Sequence, residues 1–300
     1  MTGTTLVVGA TGTTGSRTAT RLVAAGHRVR AASRSASPTP GAEPVRFDWY
    51  DTATHDTALG GADRLYLVPP VGDPDPAEVM LPFLRRARAA GVRRAVLLSA
   101  SAIPEGGAAT GVVHAALPGL FEEWAVLRPS WFMQNFTGGH AHAVTVREEG
   151  AILTAAGSGR VGFVDADDIA AVAVRALTAE RAPGTDLILT GPEALSHDDV
   201  AAVLTRAGGR PVVHRRLTRD RMRDRLAAAV PPEFAELLAD MDLAIAGGAE
   251  DRTTDTVQRL TGRPPRGLRD VVEREWGLGP HAARPAEDDE RSARFQPTRS

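Results

Sequence analysis

Three glycines at three-residue spacing, in Val7-Val8-Gly9-Ala10-Thr11-Gly12-Thr13-Thr14-Gly15-Ser16, follow a short apolar run and precede a helix-like segment. Between a strand and a helix, such glycines let the backbone turn sharply, approach a pyrophosphate and pack the helix onto the strand. The free amides and positive dipole end of a helix starting near Thr14 then receive phosphate charge. Gly9, Thr11, Gly12, Thr13, Thr14 and Gly15 are therefore the expected phosphate cradle of a dinucleotide. NAD binders usually carry a carboxylate for the ribose hydroxyls at the end of the second strand. Here the chain reads Ser33-Arg34. An arginine at that place pairs with a 2′-phosphate, so the expected cofactor is NADP(H). Asp48 and Trp49 close the third apolar run, within reach of an adenine edge.

What the chain lacks narrows the chemistry further. It has no cysteine, which removes disulfides, thiolate metal sites and cysteine nucleophiles. All 35 basic residues are arginine, so no lysine is available as a base or Schiff-base amine. His140-Ala141-His142 has no third well-spaced ligand, and no metal is expected. Gly157-Ser158-Gly159 is too short for the Gly-x-Ser-x-Gly elbow of a hydrolase. The arginines between 215 and 225 alternate with Asp220 and Asp224, as on a solvated helix face.

The elements that position these residues form a repeating pattern. Strands are expected at residues 5–8, 28–33, 45–48, 64–68, 95–99 and 124–128, with helices at 16–25 and around Val79, Met80, Phe83, Leu84 and Ala87. This alternation predicts an α/β fold: a Rossmann-type doubly wound parallel sheet, with a smaller α/β C-terminal substrate lobe. The expected division is a cofactor-binding domain over residues 1–136 and a C-terminal lobe over 137–279. A strand near 186–190 rejoins the sheet, and 280–300 is a disordered tail. Helices are expected at 168–179, 197–207 and 219–246, the last interrupted by Pro231-Pro232. A net charge of −2 gives no field for nucleic acid or an anionic membrane, so a small molecule is the expected partner, and a homodimer is left open. Without a basic leader or a long apolar run, the expected location is the cytoplasm.

Five segments together carry a family resemblance: "GATGTTGS" from Gly9, "LRPSWFMQNF" from Leu127, "VDADDIA" from Val164, "LTGPEALS" from Leu189 and "TGRPPRGLRD" from Thr261. In order and spacing the chain resembles the NmrA-like family of atypical short-chain dehydrogenases, within it the group of ergot-alkaloid-type reductases, up to about residue 278. The resemblance implies NADP(H), with Val68-Pro69-Pro70 and Ser99-Ala100-Ser101 bordering the nicotinamide side and Pro129 to Phe132 walling the reacting face. It further suggests a substrate pocket of Pro70, Trp131, Phe132, Met133 and His140, with Ser99, Ser101 and His114 as catalytic candidates. His114 is read either as a proton relay or as a buried structural histidine.

Most short-chain dehydrogenases use a Tyr-x-x-x-Lys pair. This chain has only Tyr50 and Tyr66 and no lysine, so that machinery cannot operate. The leading expectation is a reductase of an activated C=N, C=C or C=O bond of a small molecule in secondary metabolism. A non-catalytic NADP(H) sensor and a redox-neutral isomerase or cyclase on the same scaffold are the alternatives.

Overall fold

The computed structural model describes residues 3–278, and the tail expected from residue 280 lies outside them. The chain opens with β1 (Thr4–Val8), α1 (Thr13–Ala24), β2 (Arg28–Ser33), β3 (Glu43–Arg46), α2 (His55–Leu59) and β4 (Arg64–Leu67). It continues with α3 (Ala77–Ala89), β5 (Arg94–Leu98), α4 (Thr110–Leu120) and β6 (Glu123–Pro129). After α5 (Ala141–Glu149), β7 (Ala151–Thr154), β8 (Arg160–Val161) and α6 (Ala166–Thr178), the chain returns as β9 (Asp186–Leu189). β9 pairs parallel with β6, Val126 opposite Asp186 and Pro129 opposite Leu189, as the apolar run at 186–190 predicted.

The resulting seven-stranded sheet runs β3-β2-β1-β4-β5-β6-β9, parallel throughout. Its strands are apolar on both faces because both faces are covered. Leu6, Val8, Leu65, Leu67 and Leu97 pack under Met80, Phe83 and Leu84 of α3 and Val113 and Leu117 of α4. The alternate residues, Val7, Tyr66, Val96 and Leu127, meet Ala19 and Leu22 of α1 and Ile169, Val172 and Ala173 of α6. The chain turns outward in opposite directions from β1 and β4. That switch point opens a crevice at their carboxyl ends, the place where doubly wound sheets bind ligands. Two boundaries move. α1 begins three residues before the expected Ser16, and β3 ends at Arg46 because Asp48 turns back to bridge with Asp51.

The smaller lobe contains β10 (Leu195–Ser196), α7 (His197–Gly208), β11 (Val213–Arg216), α8 (Arg219–Ala227), α9 (Pro232–Ala246) and α11 (Leu268–Glu275), while α10 (Thr256–Thr261) packs back on the sheet side. β10 pairs antiparallel with β8, and β11 parallel with β7. Its core gathers Phe136, Ile152, Phe163, Val200, Leu204, Ile245 and Val271. Gly159 is needed where the turn after β7 meets α9, since a Cβ there would lie 2.1 Å from the Ile245 carbonyl oxygen. Asp242 of α9 anchors the same turn by accepting the Ala155 amide at 2.7 Å.

Burial pushes the Asp242 carboxyl up to about 6. A carboxyl raised in the folded state adds stability that is complete below its unfolded pKa of about 3.9 and is lost as pH rises through the folded value. Asp242→Asn, which keeps an acceptor for Ala155, is expected to raise stability near neutral pH by about 2 kcal/mol and to flatten the pH profile of urea midpoints between about pH 4 and 7. An unchanged profile would show that Asp242 is not the titrating group.

The lobes are clamped by ion pairs. Asp165 caps α6 by accepting the Asp167 amide at 3.1 Å, and receives Arg274 at 3.1 Å and Arg266 at 3.2 Å. Asp168, fully buried, takes Arg263 at 2.7 Å, Arg266 at 2.8 Å and the Arg266 amide at 2.8 Å. Gln134 joins the knot, donating to Asp165 and to Glu275, each at 2.8 Å. The segments "VDADDIA" and "TGRPPRGLRD" are thus two halves of one structural clamp. Among the described residues no helix is long and apolar enough to cross a membrane.

Candidate active site

The glycine cradle has the geometry its spacing predicts. Gly9 has φ +75°, and a Cβ on it would stand 2.9 Å from Cβ of Val68 across the crevice. A Cβ on Gly15 would lie 2.1 Å from the Gly9 carbonyl oxygen, so Gly15 lets α1 dock on the turn and lines neither of the two cavities beside it. Gly12 caps α1, exposed, with the unpaired amides of the first turn beyond it. Backbone amides open to a concave surface, at a place where side chains would intrude, suit a pyrophosphate.

Two cavities of about 460 Å³ each meet at this cradle, sharing Gly12, Val68, Pro69, Pro70 and Val71. The first is lined by Gly9, Thr11, Ser33, Arg34, Asp48, Trp49 and Tyr50. Trp49 is placed by its indole N–H, which donates to the Val68 carbonyl at 3.1 Å, and by edge contacts with Phe47 and Phe83. Ser33 Oγ accepts the Ser37 amide at 3.0 Å and shapes the loop after β2. Arg34 is exposed and has no hydrogen-bond or ion-pair partner among the described residues. The second cavity continues over Thr13, Thr14 and Pro70 to Ser99, Ile103, Ala109, Thr110 and Phe132, with Asp73 and Phe234 also on its wall.

Its polar lining includes a bonded pair of hydroxyls. Ser99, at the end of β5, and Thr110, at the start of α4, stand with Oγ and Oγ1 2.8 Å apart. Ala109, the N-cap just before Thr110, holds φ +51°, ψ −122°, a conformation strained for a residue with a Cβ, at the start of α4 on the cavity wall.

Several expected site residues lie elsewhere. His114 is 2% exposed, one turn deeper in α4, with its ring 6.4 Å from Trp124, and burial lowers its pKa, so it is a neutral packing residue. Ser101 is buried and donates to Glu250 at 2.7 Å, tying the β5 loop to the segment after α9. Pro129 is buried, its carbonyl accepting the Ser101 amide at 2.9 Å. Trp131 and Met133 pack into the second lobe's core, because the backbone is extended at Phe132 and successive side chains face opposite ways, so of the three only the Phe132 ring reaches the cavity. His140 is an exposed N-cap of α5, its Nδ1 accepting the His142 amide at 3.2 Å, and lines neither cavity. Tyr66 is fully buried under the sheet, and burial pushes it up to about 12. Thr110, Asp73 and Phe234 are among the lining residues that sequence reading missed.

Residues 9–180 match the model of an NAD(P)H-binding family. The chain belongs to that family and is an NAD(P)H-dependent oxidoreductase. It is 46% identical over 264 residues to an uncharacterized oxidoreductase, YesF, of Bacillus subtilis (strain 168), covering 88% of this chain and 92% of that one. It is 39% identical over 275 residues to agroclavine dehydrogenase of Claviceps fusiformis, covering 89% and 95%. An NADPH-dependent quinone oxidoreductase of Escherichia coli, solved with NADPH, shares the fold at a TM-score of 0.74 and 24% identity, covering 91% of this chain and 99% of that one.

Proposed function

We propose that the chain is an NADP(H)-dependent reductase of small molecules whose C=N, C=C or C=O bond is already activated, of the kind met in secondary metabolism. The observation that carries this reading is the second cavity: mostly apolar, beside the glycine cradle, with one hydroxyl pair and neither a tyrosine nor a histidine in its lining. When bound, the nicotinamide supplies a hydride. Adding hydride to an iminium cancels a positive charge and calls for no proton, so the chain's task is orientation and exclusion of water. Pro70, Phe132 and Phe234 supply that apolar enclosure. For a carbonyl or enone, the reacting oxygen gains charge, and the Ser99–Thr110 pair can donate a hydrogen bond to it. The ergot-alkaloid activity named for the Claviceps relative fits such acceptors.

The test is NADPH oxidation against cyclic iminium and enone acceptors. Ser99→Ala and Thr110→Val are expected to lower enone reduction by about 100-fold while leaving iminium reduction within about threefold. Equal losses on both would remove the hydroxyl pair from proton supply. Tight NADPH binding with no turnover of any acceptor would favour the sensor.

A further inference from the structure

The second cavity has a charge asymmetry. Among its lining residues Asp73 alone is charged; the rest are glycines, prolines, aliphatics, hydroxyls and the rings of Phe132 and Phe234. Asp73 lies in the turn after β4, where Gly72 has φ +78°. Both carboxylate oxygens are fixed: the Tyr50 hydroxyl donates to Oδ2 at 2.6 Å, and the Asp75 amide donates to Oδ1 at 2.9 Å. Burial, the bond to Asp73 and the negative charges of Asp73 and Asp48 push the Tyr50 phenol up to about 12, so it stays a donor. No arginine or histidine pairs with Asp73 among the described residues.

A carboxylate that is oriented but lacks a counter-ion, on the wall of an apolar cavity, lowers the energy of a positive charge placed nearby and does nothing for a neutral molecule of the same shape. Aromatic rings in the same lining favour the same sign of charge. We propose that Asp73, positioned by Tyr50, makes this cavity selective for aromatic organic cations over neutral isosteres. The catalytic consequence rests on the reductase reading above; the binding preference does not.

The two can be separated because charge is consumed in the reaction. Hydride adds to the electrophilic carbon, the C=N π pair becomes the nitrogen lone pair, and the cation becomes a neutral amine. An anion near the acceptor therefore stabilises the bound cation more than the transition state. Loss of Asp73 is expected to raise KM for an iminium while leaving kcat unchanged or higher.

Binding is measured first, by calorimetry on the NADPH-loaded protein, with 2-naphthyltrimethylammonium and its uncharged isostere 2-tert-butylnaphthalene, neither of which offers a reducible bond. The native chain is expected to prefer the cation by about tenfold, and Asp73→Asn to remove that preference by weakening the cation alone. Asp73→Glu should restore part of it, and Tyr50→Phe should lose a smaller part by freeing the carboxylate. A native chain without charge preference, or a preference untouched in Asp73→Asn, overturns the proposal. Charge-selective binding without reduction of any acceptor would sink the reductase reading alone. Turnover of iminium and enone with a charge preference that ignores Asp73 would sink this proposal alone.

Discussion

Asp168→Ala is expected to destabilise the protein by about 3 kcal/mol, a large share of the roughly 5–15 kcal/mol that holds a folded domain. The carboxylate has no exposed surface and collects two guanidinium groups and a backbone amide, so its removal leaves Arg263, Arg266 and the Arg266 amide without their shared acceptor. Both arginines keep about a third of their side chains exposed, at 35% and 33%, and water can take over part of their solvation, which holds the loss below the upper end for buried pairs. Asp167→Ala is the control. That carboxylate is 24% exposed and pairs with Arg21 at 2.9 Å at the lobe surface, so its loss should cost under about 1 kcal/mol. Urea midpoints of the two variants decide the matter, and similar losses would mean that burial at Asp168 is irrelevant. The neighbouring Asp165 adds an acid limb. Burial would raise its pKa, but hydrogen bonds from Arg274, the Asp167 amide and Gln134 overcome this and hold it below the ordinary carboxylate range. A depressed carboxyl contributes stability above its unfolded pKa, near 3.9, which is lost as pH falls through the folded value.

Arg34→Ala is expected to weaken NADPH binding by about 10- to 100-fold and to leave NADH unchanged, the scale of a charge-assisted contact to phosphate. Arg34 lines the first cavity next to Ser33 and has nothing else to hold among the described residues. Because it is exposed, its contribution is screened: the NADPH preference of the native chain should shrink toward that of the variant at about 1 M salt. Thermal shifts with the two cofactors make the comparison directly. Equal shifts for NADPH and NADH in the native chain would remove Arg34 from 2′-phosphate recognition.

The first cavity was legible because its parts are contiguous or end consecutive strands. Gly9 to Gly12, Ser33-Arg34 and Asp48-Trp49 each follow an apolar run that identifies itself, and parallel strands buried on both faces need no alternation to be recognised. The second cavity was legible only in part. Ser99 and Phe132 came from resemblance, but Phe234 arrives from α9, far along the chain, and Asp73 sits in a proline-rich turn whose composition signals only a loop. His114 stood in for Thr110 because the two share one helix face a turn apart, and only the helix start reaches the cavity. In the smaller lobe, β8 and β10 have two residues each, and β11 is mostly exposed. Their identity comes from pairing with distant partners, such as Val213 with Ala151, which no local pattern encodes.

The return of β9 to the sheet bears on how the two halves can move. The chain leaves the sheet after β6, comes back through α6 and β9, leaves again for α7 to α9, and then lays α10 against α6 and β9. The crossings are stitched where they pass: the Ser130 amide donates to Leu189, the Thr254 amide to Thr190 Oγ1, and the Thr254 hydroxyl to Ile188. Several crossings tied by these bonds hold the smaller lobe to the sheet at more than one place. In the reductase proposed above, the range of acceptors would then follow from the fixed shape of the cavity lined by Asp73, Phe132 and Phe234.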